Sequence, residues 1–486
     1  MDAFRTENDS IGKKQIPENA FYGIHSLRAK ENFPGREPFH PEWYRACGVV
    51  KLAAYNTIER FGNALQEKYD NEEFAFRLPD TVVLDALKEA AINMAKGMGY
   101  DHFIVPAITG GAGTSQHMNV NEILTNMALA SMNKPLGAYD IIDPLEDANI
   151  FQSTNDVMPA ALHVALLRRL KDLEKAINDL RHAVEEKENK YRNVLRLSYT
   201  QMQVAVPGSW GRLFSSYSDA LSRDWWRVSK AFERIKVINL GGSATGTAVA
   251  VPRYYFMEVT SHLQRLTGLP VTRGENLADT TANHDDLVEA HAILKAFAVN
   301  MEKMVGDLRL LASDIVAGKT LSIPAVQMGS TVMPGKVNPV IPEYVISCAR
   351  KVYANDMLIT DLAAKGCLEL NAYLPLMGHA FLDSLDLLID ACNSAAGKLV
   401  CGLVVDEKAS VAQVYHSPSV VTALNPVIGY HSAARLAEKM NSENLDVFQA
   451  NKELNLVDDD FLKEIMKPEK LLQAGFTIND LLKHKK

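Results

Sequence analysis

Between Pro159 and about Arg192 the chain is almost free of helix-breaking residues, and Leu162, Leu166, Leu170, Leu173, Ile177, Leu180 and Val184 recur at steps of three or four. That spacing lays one apolar stripe along a single helix face, close to a heptad seam. A second long pattern runs through Ile293, Phe297, Met301, Met304, Leu308 and Leu311, and a third through Phe381, Leu385, Leu388, Cys392 and Ala395. Phe214 to Ile235 makes a fourth. Helices this long and this numerous cannot all bury their seams inside a small globule. They predict a mainly α chain with a long central bundle, shared between subunits.

The flanks read differently. The first 145 or so residues carry Pro and Gly punctuation, as in QIPENAFYGI and NFPGREPFHPEW, and predict short extended pieces and modest helices. After Leu403 the chain turns more polar again, with the turn-like LNPVIGY and a basic terminal LLKHKK that reads as a frayed tail. Three domains are expected: residues 1–146 mixed, 147–403 the long-helix bundle, and 404–486 a small C-terminal domain.

Composition narrows the function classes. At 486 residues there is ample apolar material for two or three cores. Net charge is −8 and the pI about 5.9, so the overall field attracts neither nucleic acid nor anionic membrane. An anionic substrate must therefore be held by local donors. The five cysteines fall in no metal-ligand spacing and read as free thiols. MDAFRTENDS lacks a basic stretch followed by an apolar core, and no apolar run is long enough to span a bilayer. A cytoplasmic protein without partners among nucleic acids or membranes is the expectation.

Four polar segments interrupt the helical patterns: GGAGTSQHMNVNE (110–122), QSTND (152–156), TQMQVAVP (200–207) and GSTVMPGKVN (329–338). Backbone N–H groups, hydroxyls and amides of this kind hold a carboxylate without net charge. GGAGTS has neither the GK[ST] ending of a phosphate loop nor the spacing of a dinucleotide site. QSTND can equally be a plain helix N-cap at Ser153 or Thr154. GSTVMPGKVN is harder to read as a bland connector: Gly, Pro, Lys and Asn crowd one short stretch, and Lys336 is the only permanent cation in any of the four segments.

In this order and spacing, the segments resemble the aspartase/fumarase superfamily, whose signature loop GSSxMPxKxNP is similar to GSTVMPGKVNP. FYGIHSLRAKENF, FQSTND, NLGGSATGTAV, DLRLLAS, LELNAYLPLMG and TALNPVIGY extend the likeness from about residue 10 to 430. Within the superfamily the chain is most similar to aspartate ammonia-lyases, because Gln201 follows Thr200 where class II fumarases carry His. The resemblance implies a three-domain fold with the bundle shared in a homotetramer, composite active sites, and no required cofactor or metal. It implies β-elimination of ammonia from L-aspartate to give fumarate through an aci-carboxylate.

By the same resemblance Ser330 is the general base. Lys336, Asn338 and Thr154 hold the α-carboxylate, and Asn155 receives the amine. Thr114, Ser153, Thr200 and Gln201 hold the second carboxylate. Arg28 matches a position near substrate, or else makes a structural ion pair. Two positions depart from the pattern: His117 stands where Asn is usual, and Met158–Pro159–Ala160 where an aromatic-Pro-Thr is common. Both are either packing drift or a reshaped distal pocket. The second case admits another amine lyase of the fold, such as one releasing trimethylamine from ergothioneine. Fumarase activity and a non-catalytic structural role fit less well, the latter because every motif residue of the base and carboxylate grip is present.

Overall fold

The computed structural model describes residues 3–69, 74 and 76–478. The chain is mainly α, with only short two-stranded sheets among the described residues. Five of its long helices are Thr154–Lys190, Trp210–Ile235, Asp285–Leu311, Val340–Ala363 and Leu374–Ser394. Every seam residue from Leu162 to Val184 is essentially inaccessible. In Asp285–Leu311 the buried line is rotated slightly from the expected one. It runs through Leu287, Leu294, Phe297, Met301 and Met304, leaving Ile293 and Leu311 half-buried.

The chain resolves into two compact units. The first comprises residues 1–174, 227–296 and 350–387, the second 175–226, 297–349 and 388–486. Each of the five long helices contributes residues to both. The basic LLKHKK terminus lies outside the described residues.

In the first unit the N-terminal region holds a longer element than its punctuation suggests, the 28-residue helix Pro41–Lys68. Pro41 starts it, where a missing N–H costs nothing, and the His40 side chain accepts from the Glu42 N–H. Trp43, Tyr44, Cys47, Val50, Ala54 and Tyr55 are all buried, so the helix is covered on more than one face and shows no single stripe in sequence. It packs against Thr81–Ala95 and Arg253–Thr267.

In the second unit, Val414, Val420, Leu424, Leu436, Met440, Val447 and Phe461 form one core with Leu195. The C-terminal helices thus close over the strand Leu195–Thr200 rather than over themselves alone.

Candidate active site

In the first unit, two of the polar segments, 110–122 and 152–156, converge. Helix Thr114–Ser131 is entered through Gly111, Ala112 and Gly113, all with positive φ (85°, 54° and 91°). Gly113 is needed for this turn, because a left-handed backbone disfavours any side chain. A Cβ there would lie 3.6 Å from Thr154, 3.6 Å from Pro375 and 3.8 Å from Met158. The GGAGTS turn therefore sits on the first turn of helix Thr154–Lys190 and beside the start of Leu374–Ser394. The N-termini of helices Thr114–Ser131 and Thr154–Lys190 meet here, each with the positive end of its dipole. Thr114 is exposed at this junction, and Ser153, Thr154 and Asn155 are half-buried.

Each hydroxyl and amide here has a defined partner. Ser153 caps its helix: Oγ accepts from the Asn155 N–H at 3.3 Å, while the Ser153 N–H donates to Asp156 Oδ1 at 2.9 Å. The return bond from Asp156 is that of a capping box, while Ser153 serves the second N–H of the helix rather than the third. Thr154 Oγ1 lies 3.0 Å from Nδ1 of His117. Asn155 donates from Nδ2 to the Ala244 carbonyl at 2.7 Å, which leaves its Oδ1 as an acceptor. Arg28 belongs to the same unit, but its guanidinium is committed to Asp9 (2.8 and 2.9 Å) and to the Gly12 carbonyl. That pairing holds the Asp9 carboxyl well below the usual carboxylate range. Of the two departures, Met158 packs under Gly113 with its sulfur 4.0 Å from Cys47 Sγ, a core position.

The second unit carries the rest. Thr200 pairs with Gln203 across a two-residue hairpin turn, Gln201–Met202, in which both residues have positive φ (51° and 61°). Turns of this type favour Asn and Gly, so a Gln–Met pair is held there at a conformational cost. Thr200 and Gln201 are exposed at its tip. In the Gly329–Asn338 loop, Ser330 Oγ accepts from the N–H groups of Val332 (3.1 Å) and Met333 (2.8 Å). The loop is closed by Gly329 N–H to Lys336 O at 2.9 Å and by Asn338 Nδ2 to the Gly329 carbonyl. A Cβ on Gly329 would come within 2.5 Å of Lys336 O and 2.7 Å of Asn338 N. Lys336 is exposed, and its ammonium has no hydrogen-bond or ion-pair partner among the described residues.

Residues 12–354 match the lyase family and residues 420–473 the fumarase C C-terminus. The chain is 34% identical over 482 residues to the aspartate ammonia-lyase of Bacillus subtilis (strain 168), covering 99% of this chain and 98% of that one. It is 36% identical over 476 residues to the aspartate ammonia-lyase of Pseudomonas canavaninivorans, with 97% of each covered. A crystal structure from Brucella melitensis, described as fumarate lyase:delta crystallin bound to cobalt, superposes with a TM-score of 0.89 at 32% identity. It covers 97% of this chain and 100% of that one. The chain belongs to the aspartase/fumarase superfamily. It is a lyase, and the mainly α fold expected from the apolar seams is that of the superfamily.

Behind the matched motif residues of this lyase lies a buried polar layer that the sequence reading did not single out. Asp156 is fully buried. Its Oδ2 accepts from Gly241 N–H and Ser243 N–H, both at 3.1 Å, so the NLGGSATGTAV segment is wrapped around it. Burial raises its carboxyl to about 6 against these two N–H bonds and the one from Ser153. Lys51, also fully buried, donates to Asn121 Oδ1 (2.5 Å), Ala148 O (3.2 Å) and Asn149 Oδ1 (3.2 Å), and burial lowers it to about 7. Asn239 Nδ2 donates at 2.7 Å to the carbonyl of Asn155. That carbonyl is free because Pro159, four residues on, has no N–H to give it. A Pro inside an otherwise helical pattern was the one sequence signal that some outside donor must serve residue 155. Among the described residues no group of three or more His, Cys, Asp or Glu is placed to hold a metal, and no helix is long and apolar enough to cross a membrane.

Proposed function

We propose that the chain is a carbon–nitrogen lyase that eliminates ammonia from L-aspartate to give fumarate, with Ser330 as general base. The supporting observation is the pair of N–H bonds to Ser330 Oγ from Val332 and Met333. A serine hydroxyl is a poor base unless its alkoxide is stabilised, and hydrogen bonds to the charged form favour that form. Proton removal from the carbon beside the second carboxylate places a growing negative charge on that group. Thr114, Ser153, Thr200 and Gln201 are assigned to it as donors, each worth about a hundredfold or more in rate when aimed at developing charge. Lys336, Asn338 and the Thr154 hydroxyl hold the α-carboxylate. Asn155 accepts from the amine through Oδ1, and ammonia leaves as the double bond forms.

These roles are carried by a homotetramer in which one active site draws residues from several chains. Exposed apolar side chains on the long helices, such as Val299, Leu310 and Met357, support a bundle shared between copies. Three domains per chain, at 1–146, 147–403 and 404–486, belong to the same proposal, as does a cytoplasmic setting. Arg28, bound to Asp9, is assigned a structural role.

The test is fumarate formation from L-aspartate, followed by absorbance, in the wild type and in Ser330→Ala. The variant is expected to lose about 10²–10⁴-fold in kcat, the usual contribution of a general base. Normal turnover in the variant rules out the base assignment. A second reading, elimination of another amine, is favoured by the imidazole of His117 beside Thr154. A panel of amino acids and betaines assayed for ammonia or trimethylamine separates the two.

A further inference from the structure

His117 is 1% exposed, and the two ends of its ring lie in different surroundings. Nδ1 is 3.0 Å from Thr154 Oγ1, whereas Nε2 is buried with no hydrogen-bond partner. Burial and the positive charge of Lys51 both push the ring well below its ordinary value of 6.5, so the imidazole is neutral and carries one hydrogen. Where that hydrogen sits decides what Thr154 can do.

Lys51 does not serve Nε2, because its three ammonium hydrogens are matched by Asn121 Oδ1, Ala148 O and Asn149 Oδ1. A hydrogen on Nε2 would therefore be a buried N–H without an acceptor, in the field of a buried cation. A lone pair on Nε2 is the cheaper arrangement on both counts. Orphaned buried N–H groups are rarer than unfilled acceptors, and a positive charge attracts a lone pair and repels an N–H. With the hydrogen on Nδ1, Thr154 Oγ1 accepts from the ring, and its own hydrogen is released from any bond back to His117. In the opposite tautomer the hydroxyl would donate to Nδ1 and have no hydrogen for a substrate.

We propose that His117 is a positioning residue: as the Nδ1–H tautomer it fixes the Thr154 hydroxyl as a donor toward a substrate carboxylate. The kinetic part of this inference rests on the amine-lyase reading above, and the tautomer part does not. Asn at this position would set an amide N–H at the same distance along the side chain as Nδ1. His117 thus presents by its ring the N–H that an amide would present at that place.

Two measurements test it. In the full-length protein labelled with ¹⁵N-histidine, the His117 ring, assigned by the signals lost in His117→Asn, is expected to show a protonated Nδ1 and an unprotonated Nε2 at neutral pH. The reverse tautomer, or a doubly protonated ring, overturns the proposal. In turnover, His117→Leu is expected to lose roughly ten- to hundredfold in kcat/KM, the worth of a hydrogen bond to a charged group, whereas His117→Asn keeps most of it. Equal losses in the two variants overturn the positioning role. If the wild type turns over no member of the amine panel, the proposed function fails, and the ring spectrum still decides the tautomer.

Discussion

Asn239 is the residue whose role can be measured most cleanly. Its Nδ2 donates to the Asn155 carbonyl at 2.7 Å and to Thr281 Oγ1 at 3.0 Å, and the side chain is 1% exposed. Asn239→Leu keeps the branching at Cγ, in a somewhat larger side chain, and removes both bonds. Thr281 stays satisfied because its hydroxyl donates to the Leu277 carbonyl, but the Asn155 carbonyl loses its donor. Two lost hydrogen bonds at about 1 kcal/mol each, plus about 1–3 kcal/mol for a carbonyl left unpaired, bound the cost at about 3–5 kcal/mol. Leucine also removes the unpaired buried Oδ1 of Asn239, which brings the loss toward the lower end. The decisive comparison is a double-mutant cycle with Pro159→Ala. Alanine restores the N–H that a regular helix offers to the carbonyl four residues back, so Asn155 no longer depends on Asn239. In that background Asn239→Leu should cost about 1–2 kcal/mol less. The four proteins are compared by denaturant midpoint at one protein concentration, with kcat/KM on the true substrate as a second readout. Additive effects within about 0.3 kcal/mol would refute the account.

Two further changes probe the loop and the buried layer. Gly329→Ala drives a Cβ into the backbone of Lys336 and Asn338, so the closed turn must open. Turnover should fall by at least roughly tenfold while the unfolding midpoint moves little, since surface changes away from the core lie within about 0.5 kcal/mol. An unchanged kcat/KM would show that the closed turn is not the working one. Lys51→Met tests the buried ammonium through pH. Folding lowers Lys51 from 10.5 to about 7, so between those values the unfolded chain holds a proton that the folded chain has released. Stability from this group therefore rises as pH rises from about 7 to 10.5, and is at its least below 7, where the folded protein must carry the buried charge. The variant should lose that rise; an unaltered pH dependence across this window would place the group's titration elsewhere.

Much of this was legible in the chain itself. Leu162 to Val184 repeat at helical spacing, and a helix with one apolar face has to bury it, so the long bundle elements follow from local pattern. The four polar segments follow from composition for a similar reason: Gly, Pro, hydroxyl and amide residues crowd where a regular helix cannot continue. The helix Pro41–Lys68 was not legible, because burial on several faces erases the periodic contrast that pattern reading depends on.

Tertiary structure alone decided which groups meet. His117 and Thr154 are 37 residues apart, Asn155 and Asn239 84, and Asp156 and Ser243 87. No period in the sequence relates such positions. They are brought together because Gly113 admits a close approach to Thr154, and because polar groups buried by helix packing must find partners wherever the fold supplies them. The sequence by itself determined the helices that carry a single apolar seam and the chemical types available at their ends. Packing determined that two helix N-termini face one junction, that a proline's missing hydrogen bond is supplied by Asn239, and that a neutral imidazole sits behind Thr154.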